Sequence, residues 1–330
     1  MSMELFRTVI PCEPMHLPIS HDDTILMLGS CFTENIGTFL EDNLFNIVIN
    51  PTGTLFNPVS LAAALIRVCE GTPYKEEDLF FHENVWRSFD HHSRFSSGDK
   101  KGTLHLINDQ LDRARKVIEN IDVLAITLGT AFIYKLKENG RVVSNCHKLP
   151  GSSFIRELAP MEMIVNSLRN AIDALIRKRP QLRIIFTISP VRHLRDNPHE
   201  NTVSKAYLAA ALHQLMSDLA SVYYFPSYEI LIDELRDYRF YASDMAHPSE
   251  VAVKYICDRF SQSCLSEKAA SFIKEFEAVR KTMSHRRGNT VEGQQSRIEF
   301  VKKRLTILHE TYPSISLDKA YSWVAENDNR

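Results

Sequence analysis

Two pairs of residues in this sequence carry side chains that could perform acyl transfer. Ser30 and Cys31 directly follow Gly29, and both are nucleophile types. Much later in the chain, Asp244 stands three residues before His247. Acyl transfer needs a nucleophile, a base within hydrogen-bonding reach of it, and a group that orients the base. The sequence therefore offers candidates for a nucleophile–His–Asp triad, provided that the fold brings the two pairs together.

The residues around the first pair predict a strand that turns sharply into a helix. The apolar run Ile25 to Leu28 leads into Gly29, and a polar, helix-like segment follows. In open α/β sheets, ligands bind at such turns, at the carboxyl edge of the strands. A helix N-terminus and a nearby imidazolium both favour a thiolate, so we expect a lowered pKa for Cys31. The backbone N–H of the nucleophile is one candidate oxyanion donor, and the N–H of Gly53, in a later turn, is a second.

Alternation of apolar strands and helices through the rest of the chain predicts a doubly wound parallel sheet. We expect an irregular arm over residues 1–23, an α/β domain over residues 24–260 and a helical extension over residues 261–330. Residues 74–101 are polar, aromatic and rich in histidine, and we interpret them as an irregular insertion over the edge of the sheet. The strands predicted after the first are Phe45–Ile49, Val123–Leu128, Arg183–Ile188 and Tyr223–Phe225. A hairpin is predicted around residues 138–141, and helices are predicted over residues 202–222 and 228–235.

Composition narrows the class of protein. Apolar residues make up 44% of the 330 residues, and the net charge is −2, which gives no electrostatic basis for binding nucleic acid or an anionic membrane. No apolar run reaches the roughly 18 residues that a membrane-spanning helix requires. The N-terminal residues do not resemble a signal peptide, and the six cysteines include no CxxC pair. We therefore expect a cytoplasmic protein with free thiols; its oligomeric state is open.

Several separate motifs, in order, resemble those of a known family. LGSCFTENIG is similar to LGDSLTEGxG, the opening block of the SGNH/GDSL hydrolases, and DMAHPSEVA is similar to their closing block, DxxHPs. NPTGTLFNP, HHSRFS, TLGTAFIY, NCHK and SPVRH resemble the GSCFA family, a branch of that superfamily. The resemblance covers Thr24 to Phe260. It implies a three-layer α/β/α fold and a site directed at esters or other acyl groups.

The opening block departs from the superfamily pattern at the nucleophile. Aligned on Gly29, the superfamily's serine falls on Cys31, and Ser30 takes the place of its aspartate. A shift of one residue would restore a serine nucleophile but would lose the matches at Thr33 and Gly37. Cys31 is therefore the first candidate nucleophile and Ser30 the second. A buried structural cysteine is the alternative.

The third block departs at the oxyanion hole. Where the superfamily has GxND, this chain has Gly129, Thr130 and then Ala131 in place of the asparagine that donates to the oxyanion. Gly129 and Thr130 are candidates for contact with the oxyanion or the substrate. Loss of one such donor typically lowers the rate by ~10²–10³-fold. Asn145 and His147, in the NCHK motif, are candidates to replace it, with a structural turn as the alternative for His147.

Two further positions are candidates for contact with substrate. His92 follows another histidine, but adjacent histidines on a strand point to opposite faces, so we expect an active-site wall or a hydrogen-bonding loop there rather than a metal site. Arg192 stands just beyond the predicted strand Arg183–Ile188, where substrate-binding residues are expected. A salt-bridge scaffold is an equal alternative for Arg192.

These features together predict an esterase, acyl hydrolase or acyltransferase that needs neither a metal nor an organic cofactor. Cys31 or Ser30 would attack the carbonyl carbon of a small-molecule or glycan ester, His247 would move the proton and Asp244 would orient the imidazole. The alternative is a non-catalytic module that binds a carbohydrate or acyl ligand in the cleft of the same fold. A large separation of His247 from both nucleophile candidates would argue against the enzyme.

Overall fold

A computed structural model of the chain describes residues 7–193, 196–219, 221–284 and 291–328. Its strands are β1 (Thr24–Gly29), β2 (Asn46–Ile49), β3 (Leu79–His82), β4 (Val85–Ser88), β5 (Val123–Leu128), β6 (Phe132–Leu136), β7 (Val142–Val143), β8 (Phe154–Leu158), β9 (Arg183–Ile188) and β10 (Val222–Tyr224). Its helices are α1 (Cys31–Asp42), α2 (Pro58–Glu70), α3 (Lys100–Glu119), α4 (Met161–Lys178), α5 (Pro198–Asp218), α6 (Ser227–Glu229), α7 (Glu250–Cys264), α8 (Glu267–Ser284), α9 (Val291–Thr311) and α10 (Asp318–Asp328).

Five parallel strands form the central sheet in the order β10-β9-β5-β1-β2. Numbered within the sheet alone, this is the order 2-1-3-4-5 of a doubly wound fold. Helices flank the sheet, and the predicted α/β fold class is confirmed. The strand order reverses between β1 and β5, where such sheets bind ligands. Cys31 follows the end of β1 after one residue, Ser30, and therefore lies at this point.

Pleating of the buried strands sends alternate residues into two apolar clusters. Leu26 and Leu28 of β1 enter the cluster beneath α2 to α5, whereas Ile25 and Met27 enter the cluster beneath α1 and α7. A third cluster lies among α8, α9 and α10. Both faces of the sheet are thus covered, as a parallel sheet requires.

Residues 74–101 are more ordered than the sequence analysis expects. β3 and β4 pair as an antiparallel hairpin, and Tyr74, Leu79 and Phe95 join the first apolar cluster. The segment is therefore built into the core and is not an irregular cover. The predicted hairpin that follows β5 is present, and β8 completes it as a three-stranded sheet, β7-β6-β8.

Two helix boundaries differ from their predictions. α5 begins at Pro198, four residues before the predicted Thr202, because Asn197 and Glu200 form a reciprocal capping box. In place of a helix over 228–235, the short α6 continues as one π-helical turn, Ile230–Glu234. In the part of the chain that the structure describes, no helix has the length and apolar character needed to cross a membrane.

The end of β1 has room for no side chain. Gly29 has a φ of +145°, and a Cβ built on it would lie 2.3 Å from the carbonyl oxygen of Thr127 on β5. Backbone cannot move aside as a flexible side chain can. The turn therefore depends on glycine at this position.

We expect Gly29→Ala to lower the free energy of unfolding by at least about 3 kcal/mol, because it adds a backbone clash to an unfavourable φ. Urea denaturation followed by circular dichroism measures this change. Gly151→Ala is the matched control, since nothing lies within 4 Å of a Cβ there. Equal effects at the two positions would contradict the assigned constraint.

Candidate active site

The Asn50 side chain holds the turn between β1 and α1. Its Oδ1 accepts a hydrogen bond from the Gly29 N–H at 2.9 Å, and the Leu55 N–H donates to the Gly29 carbonyl at 3.0 Å. The Asn50 amide also lies 3.5 Å from the Glu34 carboxylate, which accepts a hydrogen bond from Thr54 at 3.2 Å. The loop after β2 is thus attached to both ends of the β1–α1 turn.

Ser30 and Cys31 have different surroundings. Ser30 is 1% exposed, and its Oγ accepts a hydrogen bond from the Phe32 N–H at 3.3 Å as the N-cap of α1. Cys31 is the first residue of α1 and is half-buried in the wall of a cleft. Its N–H is among the helix-terminal amides that have no acceptor within the helix. Ser30 therefore has a capping role in this structure, and Cys31 presents its thiol to the cleft.

A tight turn before α7 presents His247. Met245 adopts a φ of +58°, and the Asp244 Oδ1 accepts the N–H groups of Ala246 and His247, both at 3.0 Å. The buried Ala246 anchors the turn, and Ser249 caps α7 immediately afterwards. The turn fixes the Asp244 carboxylate beside the ring of the histidine that follows it.

The structure brings Cys31, His247 and Asp244 together. The Cys31 Sγ lies 3.6 Å from the His247 Nε2, and the His247 Nδ1 lies 2.6 Å from the Asp244 Oδ2. Hydrogen bonds from the backbone N–H groups of His247 and Ala246, and then from the imidazole, lower the pKa of Asp244 to about 2. An ionised Asp244 favours the tautomer in which Nδ1 donates and Nε2 accepts. This arrangement can take a proton from the thiol.

The expected lowering of the Cys31 pKa is wrong. Burial raises the pKa of this thiol, and the carboxylate of Glu34, one helical turn further on, raises it again. The N–H groups of Phe32 and Cys31 and the ammonium of Lys205 oppose the rise only in part. Desolvation therefore outweighs the helix terminus. At neutral pH the structure therefore favours a neutral thiol at Cys31.

Three backbone N–H groups near the predicted oxyanion hole, those of Gly53, Gly129 and Thr130, donate to backbone carbonyls instead. The Gly53 N–H donates to the Asn50 carbonyl at 2.8 Å and closes its own turn. The N–H groups of Gly129 and Thr130 both donate to the Phe56 carbonyl, at 2.7 and 3.0 Å. These three amides are therefore not free to bind an oxyanion, and the predictions for them are corrected here.

The same correction applies to the NCHK motif. The Asn145 Oδ1 accepts the His147 N–H at 2.8 Å, which makes it a turn residue. The ring of His147 is buried, with Nε2 2.7 Å from the Ser88 carbonyl. Burial lowers the pKa of His147 and favours the neutral ring. Both residues join the loop after β7 to the end of β4. His147 therefore has the structural role that was the alternative to oxyanion binding.

His92 and Arg192 lie on neighbouring loops. The His92 Nδ1 accepts the Arg94 N–H at 3.2 Å, and its Cβ packs against Gly53 so closely that a side chain there would not fit. Arg192 lies beside the phenol of Tyr228, whose pKa burial raises and Arg192 lowers. His92 supports the turn after β2. Among the described residues, no cluster of His, Cys, Asp and Glu could hold a metal ion.

Lys205, a buried lysine beneath the site, is a residue that the sequence did not predict. Its Nζ donates to the carbonyls of Gly129 and Ser189, both at 2.7 Å, and joins the carboxyl ends of β5 and β9. Burial lowers the pKa of Lys205 to about 7, and the nearby Cys31 opposes that shift. Its signal in the sequence is a lysine within the apolar stripe of α5, next to Leu208.

Comparison with known proteins identifies the family. Residues 24–260 match the GSCFA family model, and the chain belongs to the GSCFA family. No curated protein sequence is significantly similar to it. Among solved structures it is similar to a protein described provisionally as a platelet activating factor from Streptococcus pneumonia, with 14% identity, a TM-score of 0.37 and coverage of 73% of this chain and 83% of that one. It is also similar to a Clostridium thermocellum family 3 carbohydrate esterase, with 12% identity, a TM-score of 0.34 and coverage of 80% and 99%.

We expect alkylation of Cys31 by iodoacetamide to rise with pH through a midpoint above the ~8.5 of a free cysteine. Glu34→Gln should lower this midpoint, because it removes the carboxylate that disfavours the thiolate. Glu41→Gln, an exposed change on the same helix, is the control and should leave the midpoint unchanged. Peptide mass spectrometry over a pH series measures all three profiles. A wild-type midpoint below that of free cysteine would contradict the assignment.

Lys205 should also contribute to the pH dependence of stability. Between a folded pKa of about 7 and an unfolded value of ~10.4, the unfolded chain binds the extra proton, so stability rises with pH. The effect is at most about tenfold in the unfolding constant per pH unit. Lys205→Met should lack this rise, and the exposed Lys101→Met should keep it. Urea denaturation at pH 7, 8 and 9 measures the difference, and parallel profiles for all three proteins would contradict it.

Proposed function

We propose that this protein is a thiol-dependent ester hydrolase or acyltransferase of the SGNH type. The observation that carries the proposal is the chain of contacts from the Cys31 Sγ to the His247 Nε2, at 3.6 Å, and from the His247 Nδ1 to the Asp244 Oδ2, at 2.6 Å. Nucleophile, base and orienting carboxylate meet at the carboxyl edge of a parallel sheet. A binding module would not require this combination.

The raised pKa of Cys31 defines how the nucleophile is activated. The thiol is neutral before attack, so His247 takes its proton as sulfur bonds to the carbonyl carbon. The Cys31 N–H, at the start of α1, donates to the oxyanion. The imidazolium then gives its proton to the departing alkoxide, and a thioester remains on Cys31. Water, an alcohol or an amine then attacks the thioester, and His247 takes the proton of the attacking group. The imidazolium gives this proton to the departing sulfur, and the thiol is restored.

The missing asparagine leaves this oxyanion hole with fewer donors. Ala131 has no exposed surface, and its own N–H donates to Ser204 at 2.8 Å. The loss of one donor typically lowers the rate by ~10²–10³-fold. We therefore expect slow turnover of simple esters, together with a thioester that lives long enough to be detected. The alternative non-catalytic module would form no thioester.

Cys31→Ala and His247→Ala should lower the turnover of a short-chain p-nitrophenyl ester by ~10⁴-fold or more, because each removes a member of the triad. Asp244→Asn should lower it by up to ~10⁴-fold. Ser30→Ala should keep most activity and lose ~1 kcal/mol of stability as a helix cap is removed. Mass spectrometry of the wild type after brief exposure should show the acyl group on Cys31.

Cys12→Ala is the control, since it removes another half-buried thiol. Loss of activity in Ser30→Ala at unchanged folding, with the adduct on Ser30, would replace the thiol nucleophile by the serine. Absence of both turnover and adduct, over a series of oxygen esters and thioesters, would reject the enzyme and favour the binding module.

A further inference from the structure

The candidate triad lies at one end of a long cleft. The cleft has a volume of about 1240 Å³ and begins at Cys31 and His247. Along α1 its wall includes Asn35, Thr38 and Asp42, which recur at helical spacing and form one face of the helix. The wall therefore runs from the first residue of α1 to the last, about 16 Å at 1.5 Å per residue. Ligand pockets typically measure ~300–1,000 Å³, so this cleft exceeds the needs of an acetyl ester.

Three helices supply apolar side chains to the floor of the cleft. Phe39 of α1, Val253 of α7 and Ile273 of α8 each pack against the apolar cluster beneath α1 and α7 and remain only partly buried. Ala270 of α8 lies beside them in the lining. Apolar side chains from three helices thus contribute to the lining of the cleft away from the thiol. α8 lies beyond the 24–260 family match, so this wall is contributed by residues outside it.

The lining carries charges of both signs, which are the carboxylates of Glu34, Asp42, Glu250, Asp258 and Glu277 and the cationic groups of Lys254, Lys274 and Arg280. Asp42 of α1 lies 3.6 Å from Arg280 of α8, and Lys254 lies 2.8 Å from Asp258 on α7. These pairs place positive and negative groups side by side along the cleft. A polyanion would meet carboxylates, and a cationic chain would meet ammonium groups. The lining therefore suits an uncharged chain.

We propose that this cleft holds the acyl chain of the substrate, an unbranched aliphatic chain with its carbonyl carbon at Cys31 and its far end against α8. The assignment of the reactive end rests on the proposed function. At about 1.2 Å per bond in an extended chain, a 16 Å wall accommodates about 12 carbon atoms. Ala270 and Ile273 of α8 then determine how long a chain is accepted.

Alkylation of Cys31 by N-alkylmaleimides tests the cleft without relying on catalysis. The sulfur adds across the maleimide double bond, the adjacent carbon takes a proton, and nothing leaves. The probes are N-ethyl-, N-octyl- and N-dodecylmaleimide and an oligoethylene glycol maleimide of dodecyl length. Peptide mass spectrometry gives the rate constant at Cys31, and the half-buried Cys12 in the same sample corrects for the intrinsic reactivity of each probe.

We expect the corrected rate at Cys31 to rise at least about tenfold from the ethyl to the dodecyl probe, since full burial of one methylene is worth about fourfold. The oligoethylene glycol probe should show no such rise. A rate that does not increase with chain length would overturn the proposal. A rise of equal size with the glycol probe would also overturn it, in favour of a cleft for polar chains.

Two alanines on α8 provide a matched pair of variants. Ala270→Phe fills the cleft and should remove the advantage of the dodecyl probe over the ethyl probe. Ala278→Phe adds the same ring at an exposed position outside the cleft lining and should behave as the wild type. If both substitutions removed the advantage of the dodecyl probe, or if neither did, the acyl chain would lie elsewhere. Thermal melts establish that both variants fold.

The two proposals fail separately. A chain-length effect at Cys31 without turnover of any ester would support the cleft and reject the enzyme. Turnover with the same kcat/KM for acetyl and dodecanoyl esters, together with flat maleimide rates, would support the enzyme and reject the acyl-chain cleft.

Discussion

The close approach of two backbones at the end of β1 is the constraint on which this site depends. With no Cβ at Gly29, the chain passes within contact of β5, and the Asn50 side chain holds the Gly29 N–H from the other side. α1 then starts at Cys31, which lines the cleft. A larger residue at Gly29 would move β1 away from β5, and the thiol would no longer stand at the point where strand order reverses.

The electrostatics of the thiol follow from this position. A helix N-terminus lowers the pKa of a cysteine when the site is open to water, but here burial and the Glu34 carboxylate act in the opposite direction. Glu34 also accepts a hydrogen bond from Thr54 and holds it beside the turn, so its removal would cost this contact. The same carboxylate that stabilises the loop thus keeps the thiol protonated. Under the proposed function, His247 must therefore remove the proton of the thiol during attack, as the base of a serine triad does.

Buried polar groups that the chemistry does not use hold the edge of the sheet together. Lys205 joins the carbonyl ends of β5 and β9, and His147 joins the loop after β7 to the end of β4. Because each of these groups has its partners in backbone carbonyls, substitution of either would leave acceptors unpaired. His147, first considered as an oxyanion donor, therefore holds these loops in place.

The sequence by itself determined the strands of the central sheet, the parallel fold, the sharp turn after β1 and the residue types of the candidate triad. Apolar runs, glycine at a strand end and a carboxylate three residues before a histidine are local signals, and local signals are legible in a sequence. Tertiary structure alone decided which amides were free, since the Gly53 and Gly129 N–H groups are occupied by carbonyls of Asn50 and Phe56. It also decided the direction of the Cys31 pKa shift and the contribution of α8 to the cleft. Burial and long-range hydrogen bonds depend on residues distant in sequence, and one-dimensional patterns do not record which of them meet.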